Sequence, residues 1–143
     1  MEESPAAPPT VFVVDDDRGL LRLMEKALRR EGIATSSAGS GKDAISWLAG
    51  NRADLMLLDL KLPKVNGFEV LEQVRADENL KMIPVVVLTS SHEERDLVKS
   101  YKLGVNAYVV KPVDFHQFVN AVKELGVFWA VINEPPPGSV KKT

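Results

Sequence analysis

The sequence predicts an α/β fold, a doubly wound open sheet of five parallel strands with five helices on its two faces. Three observations carry that expectation. Apolar runs of strand length alternate with segments of helical periodicity, four of the runs end in a polar, reactive residue, and Gly32, Gly50 and Gly104 stand where helices must stop. Regular alternation with right-handed crossovers leaves the strands parallel and puts their carboxyl ends along one edge.

The first run, Val11-Phe12-Val13-Val14, leads into Asp15-Asp16. Leu20, Leu21, Met24, Ala27 and Leu28 then follow helical spacing, with Asp17 as the cap at the start and Gly32 in left-handed conformation at the end. Residues 33–37 form a weak strand, polar enough for a sheet edge. Ser40 and Asp43 make an approximate capping box for a helix through Ala44, Ile45, Trp47 and Leu48, ended by Gly50. Leu55-Met56-Leu57-Leu58 runs into Asp59. After an Asn66-Gly67 turn, Phe68, Leu71 and Val74 mark a third helix. Val85-Val86-Val87-Leu88 runs into Thr89. Ser91 with Glu94 opens a fourth helix through Leu97, Val98 and Tyr101, the tyrosine read as a packing residue, and Gly104 closes it. Tyr108-Val109-Val110 runs into Lys111. Asp114 caps a fifth helix with Phe115, Phe118, Val122 and Leu125 along one stripe.

At 143 residues, 45% hydrophobic and 27% charged, the chain has room for one domain with a substantial core. Residues 1–9 and 133–143 are rich in proline and lack apolar periodicity, so both are expected to be disordered tails around a folded body at 10–132. A net charge of −2 gives no global reason to expect nucleic-acid binding. The absence of cysteine excludes disulfides and thiolate metal sites and agrees with a cytoplasmic location. No stretch approaches the length of a membrane span and the start has no leader pattern, so no membrane association is expected.

Function is read from the carboxyl edge of the sheet, where such folds bind their ligands. Three carboxylates (Asp15, Asp16, Asp59), the Thr89 hydroxyl and the Lys111 ammonium are expected to converge there. Glycine-rich dinucleotide and phosphate loops are absent, and so is a nucleophile elbow. Crowded carboxylates repel one another unless a cation lies between them, and hard divalent ions prefer oxygen ligands. Mg²⁺ commonly takes one or two carboxylates together with phosphate oxygens, which points to phosphoryl chemistry on an aspartate.

The chain resembles the receiver domains of two-component response regulators over about residues 10 to 126. The resemblance rests on Val13-Val14-Asp15-Asp16, on Leu57-Leu58-Asp59-Leu60-Lys61-Leu62-Pro63 with Asn66-Gly67, on Pro84-Val85-Val86-Val87-Leu88-Thr89 and on Tyr108-Val109-Val110-Lys111-Pro112. It implies the flavodoxin-like strand order 2-1-3-4-5, for which the receiver fold is itself a standing example. It also implies that Asp59 accepts a phosphoryl group from a phosphohistidine of a sensor histidine kinase. Asp16, Asp59 and the Lys61 backbone carbonyl would hold Mg²⁺, with Asp15 acting directly or through water. Thr89 and Lys111 would bind phosphoryl oxygens, Tyr108 would be the mobile aromatic of the switch, and Lys61 and Ser91 would flank the path of the water that ends the signal. Lys111-Pro112 resembles the family's cis peptide.

Simpler roles compete for some of these residues. Asp17 is expected only to cap its helix, and His92 and His116, without partners at metal-ligand spacing, are read as solvated. A phosphatase of the haloacid-dehalogenase type would need an acid where Lys61 stands, and a binding module that never takes phosphate has no use for the Asp16, Asp59, Thr89 and Lys111 set. No output domain is expected after residue 132, so the output is another protein or a second copy of the chain. Phosphate relay or sink duty is the alternative. The Phe128-Trp129 pair in the apolar segment 127–132, with Pro63-Lys64 and the Val86-Val87-Leu88-Thr89-Ser90-Ser91 stretch, resembles the small regulators that pair with bacterial phytochrome kinases. Phe128, Trp129, Val131 and Ile132 are expected to form a homodimer contact, since together they make an apolar patch that monomers seldom expose.

Overall fold

The computed structural model describes residues 10–90 and 92–111. Ser91, Pro112, the expected fifth helix with His116, the apolar segment at 127–132 and both tails lie outside the described residues. Five strands and four helices alternate: β1 (Thr10–Val14), α1 (Arg18–Arg30), β2 (Ala34–Ala38), α2 (Gly41–Leu48), β3 (Leu55–Leu58), α3 (Gly67–Ala76), β4 (Val85–Thr89), α4 (Glu94–Lys102) and β5 (Ala107–Val110). The sheet is parallel throughout, in the order β2-β1-β3-β4-β5. This is the doubly wound order that the resemblance implies.

Alternation of side chains along each strand divides the core in two. Phe12, Val14, Met56, Leu58, Val85 and Val87 face α2 and α3, where they meet Ala44, Leu48, Val70, Leu71 and Val74. Trp47 of α2 stacks on Phe12 with ring centroids 4.0 Å apart. On the other face Val11, Val13, Leu55, Leu57, Val86 and Leu88 pack against Leu21, Met24 and Leu28 of α1. The central strands β3 and β4 are buried on both faces, which is why they read as unbroken apolar runs. The edge strands β2 and β5 are mostly half-buried.

Helix ends account for most departures from the sequence reading. Strand β2 begins at Ala34 rather than at residue 33, because Ile33 belongs to the end of α1: Gly32 is left-handed at φ 77°, and the Gly32 and Ile33 amides donate to the Arg29 and Leu28 carbonyls. Gly104, at φ 78°, closes α4 in the same way, with Val105 bonded to Ser100 O. Ser40 caps α2 through the Asp43 amide as expected. Asn66-Gly67, read as a turn, is the helix start itself: Asn66 accepts from the Glu69 amide and Glu69 reaches back to the Asn66 amide. Helix α4 begins at Glu94 with Glu93 as its cap position and no capping side chain, so the Ser91-Glu94 start does not hold. Tyr101, expected to pack, is exposed together with Leu97 and Val98; Ser100 is the buried residue of α4.

Candidate functional site

The ladder of the sheet delivers the site residues to one edge. The Asp15 amide bonds to Ala38 O, the Asp59 amide to Val14 O and the Lys111 amide to Thr89 O, so each residue continues its strand by one step beside its neighbour. Asp15 and Asp59 are 1% and 4% exposed and Thr89 is fully buried, whereas Asp16 faces solvent. Oxygens of Asp15, Asp16 and Asp59 come within 4.8 Å of one another. Tyr108, opposite Val87 in the register, is half-buried against the first core face.

Each buried acid is held at both oxygens. Asp15 Oδ1 accepts from the Asp17 amide (2.9 Å) and Oδ2 from Lys111 Nζ (2.7 Å). Asp59 Oδ1 accepts from the Lys61 amide (3.0 Å) and Oδ2 from Lys111 Nζ (3.3 Å). Lys111 is thus brought together with two acids, a pairing the sequence reading did not contain. Asp17 caps α1 through the Leu20 amide, as expected, and His92 is exposed.

Burial pushes the Asp59 carboxyl above the ordinary aspartate range, and the Asp15 charge adds to that, while the Lys61 amide and the Lys111 ammonium pull against it. Burial acts on Lys111 in the opposite sense, but its bond to Asp15 and the charges of Asp15 and Asp59 outweigh it and hold the ammonium above the usual lysine value. Three oxygen donors around one point suit a hard divalent cation, whose charge would relieve the repulsion that Lys111 only partly answers. The site therefore presents a buried carboxylate nucleophile, a cation-binding cluster and a fixed ammonium, which together suit transfer of an anionic group.

The loop after β3 supports Asp59. Gly67 lies so close to it that a Cβ there would fall 2.3 Å from the Asp59 carbonyl oxygen. Lys64 takes a left-handed conformation at φ 63°, uncommon for a residue with a side chain. Two further residues escaped the sequence reading. Arg75, in the last turn of α3, donates to the carbonyls of Lys81, Ile83, Leu103 and Gly104 at 2.7–2.9 Å. Lys99 of α4 lies 4.4 Å from the ring centroid of Phe68. Neither has a local sequence signal, but the Asn66-x-x-Glu69 spacing did mark the α3 capping box.

The family profile of the response regulator receiver domain matches residues 11–123. The chain belongs to the receiver family. Among solved structures, the bacteriophytochrome response regulator RtBRR is 51% identical, with 92% of this chain and 86% of that one aligned and a TM-score of 0.71. The phosphorylated cyanobacterial phytochrome response regulator RcpA is 36% identical, covering 91% and 99% of the two chains at a TM-score of 0.78. Response regulator Rcp1 of Synechocystis sp. (strain ATCC 27184 / PCC 6803 / Kazusa) is 34% identical over 138 residues, 90% of this chain and 94% of its own. Its Mn²⁺-bound form has been solved and superposes on this receiver with a TM-score of 0.76. The receiver spans about half the length of the DNA-binding response regulators it also matches. Among the described residues, no helix is long and apolar enough to cross a membrane.

Proposed function

We propose that this receiver is a phosphorylation-dependent signalling switch in which Asp59 takes a phosphoryl group from a phosphohistidine of a sensor kinase. The observation that carries the reading is the cluster of Asp15, Asp16 and Asp59 with Lys111 bridging its two buried members, Asp15 and Asp59, in a chain of this family. An Asp59 carboxylate oxygen forms a bond to phosphorus as the phosphorus–nitrogen bond breaks, and the departing imidazole keeps the electron pair. Asp15, Asp16, Asp59 and the Lys61 carbonyl are the residues that would hold Mg²⁺. That ion supplies charge neutralisation for the transferring group. Lys111 and Thr89 would then bind oxygens of the new phosphoryl group, and Tyr108 would respond behind them. Lys61, exposed beside Asp59, and Ser91 are proposed to tune how long the phosphoryl group survives.

The side of the cluster open to a donor is that of Asp16. It lines a cavity of about 420 Å³ whose other walls carry Arg18 and Arg22 beside Glu25 and Asp43, charged groups of both signs next to the acceptor cluster. Likeness to RtBRR and RcpA supports a phytochrome-type kinase as that donor, acting in the cytoplasm. The output is proposed to be binding of a downstream protein by a folded body at 10–132, with Phe128, Trp129, Val131 and Ile132 joining two copies. Incubation with acetyl phosphate and Mg²⁺ followed by intact mass tests the core of the reading. One phosphoryl adduct, lost in Asp59→Asn, is expected; an unmodified wild type would overturn it. Sedimentation of the wild type beside a Phe128→Ala, Trp129→Ala double variant tests the dimer, which a monomeric wild type at tens of micromolar, roughly the range of a weak specific interface, would rule out.

A further inference from the structure

The loop at 60–66 meets two glycines that have no room for a side chain. Gly67 presses on Asp59 itself. In the first turn of α2, a Cβ on Gly41 would fall 2.2 Å from the Val65 carbonyl oxygen and 2.9 Å from Val65 Cγ1. Among the described glycines only Gly32 and Gly104 have positive φ, so at Gly41 close approach, and not backbone conformation, requires the absence of a side chain. Gly50, just past the end of α2, has nothing within 4 Å of its own Cβ position.

We propose that Gly41 is a positioning residue for the phosphoacceptor: it seats α2 against Val65 and thereby fixes the loop that carries Lys61. The inference rests on the phosphoacceptor reading above and deepens it. Rigidity decides which side would yield to an added methyl group. Helix α2 is anchored by buried Ala44 and Leu48 and by the stack of Trp47 on Phe12. Within the loop Leu60 and Leu62 are buried, but Lys61, Pro63 and Lys64 are exposed, the segment has no helical or strand ladder to hold it, and the left-handed Lys64 is a conformation that persists only where the surroundings impose it. The loop is the softer partner, and its displacement moves Lys61, whose amide holds Asp59 Oδ1.

The test compares wild type, Gly41→Ala and Gly50→Ala by Mg²⁺ titration, by the rate of labelling with acetyl phosphate and by thermal unfolding. Folded Gly41→Ala is expected to bind Mg²⁺ about tenfold more weakly, a size in keeping with ordinary overpacking strain, and to label more slowly. Gly50→Ala should match the wild type. Unchanged Mg²⁺ affinity in folded Gly41→Ala, or an equal loss in Gly50→Ala, overturns the inference. Should Gly41→Ala not fold, hydrogen exchange on the wild type decides: Mg²⁺ should protect the first-turn amides of α2 together with residues 60–66, and protection of the loop alone overturns it. A wild type that neither binds Mg²⁺ nor labels overturns the phosphoacceptor reading and this inference with it, whereas normal labelling beside an unaffected Gly41→Ala overturns this inference alone.

Discussion

Lys111 Nζ lies 2.7 Å from Asp15 Oδ2, although the strands that carry the two residues to the edge, β5 and β1, are separated in the sheet by β4 and β3. The same ammonium reaches Asp59 Oδ2 at 3.3 Å. It therefore bridges the two buried acids of the cluster and faces the oxygens that a divalent cation would use. Three predictions concern this bridge and the loop beside it, and a fourth concerns the far end of the sheet.

Lys111→Ala should destabilise the ion-free protein by about 3 kcal/mol, because two buried carboxylates lose their common partner. Since the Lys111 pKa is raised on folding, its stabilising contribution is complete below the ordinary lysine value and is lost only as pH rises through the raised one. The deficit should thus be constant through neutral pH and shrink in strong alkali. Mg²⁺ affinity should rise several-fold, for the ion no longer meets a resident cation, and added Mg²⁺ should restore much of the stability. Urea unfolding with chelator and with Mg²⁺ measures both effects.

Asp59→Asn should abolish phosphoryl labelling and, in chelating buffer at neutral pH, stabilise the fold by on the order of 1 kcal/mol through removal of a buried charge. The Asp59 pKa is raised, so its protonated form contributes stability that is fully present below the ordinary aspartate value and lost as pH rises through the raised value. The advantage of the variant should accordingly fade as pH falls through that same window. Equal stability of the two proteins at neutral pH would contradict the assignment of burial as the dominant cause.

Lys64→Gly should stabilise the protein by roughly 0.5–1 kcal/mol, the left-handed strain at φ 63° outweighing the greater freedom of glycine in the unfolded chain. Thermal unfolding checks it. Lys64→Val, with a β-branched side chain, should move stability the other way.

Arg75→Met should cost about 2–4 kcal/mol, since the carbonyls of Lys81, Ile83, Leu103 and Gly104 lose one shared donor group and those of Ile83 and Leu103 are partly buried with it. Burial already disfavours the charge of this guanidinium, and the four carbonyls are what answer it. Arg75→Lys should recover little, because one ammonium cannot span two segments in the geometry of the planar fork. Denaturant unfolding of the three proteins gives the comparison.

Much of the architecture was legible from local pattern alone. The limits of β3 were read without error, β1, β4 and β5 were placed to within a residue, and Asp17, Gly32 and Gly104 were recognised as helix ends because each acts on neighbours a few residues away. The misreadings lie where local signals compete. Ile33 is apolar enough for a strand but is taken by the end of α1. Ser91-Glu94 has the spacing of a helix start, yet α4 begins at Glu94 with Glu93 at its cap.

By itself, then, the sequence determined which residues are strands, which helices follow them, and which polar side chains must reach the carboxyl edge of the sheet. The tertiary structure decided how those side chains pair: that Lys111 turns first to Asp15, that Asp16 stays in solvent while Asp15 and Asp59 are buried, and that Gly41 meets Val65 with no space for a methyl group. The reason is physical. Periodicity and capping are written in residues three or four apart, whereas the approach of Asp15 to Lys111, 96 residues along the chain, depends on sheet order, register and close packing that no local pattern records.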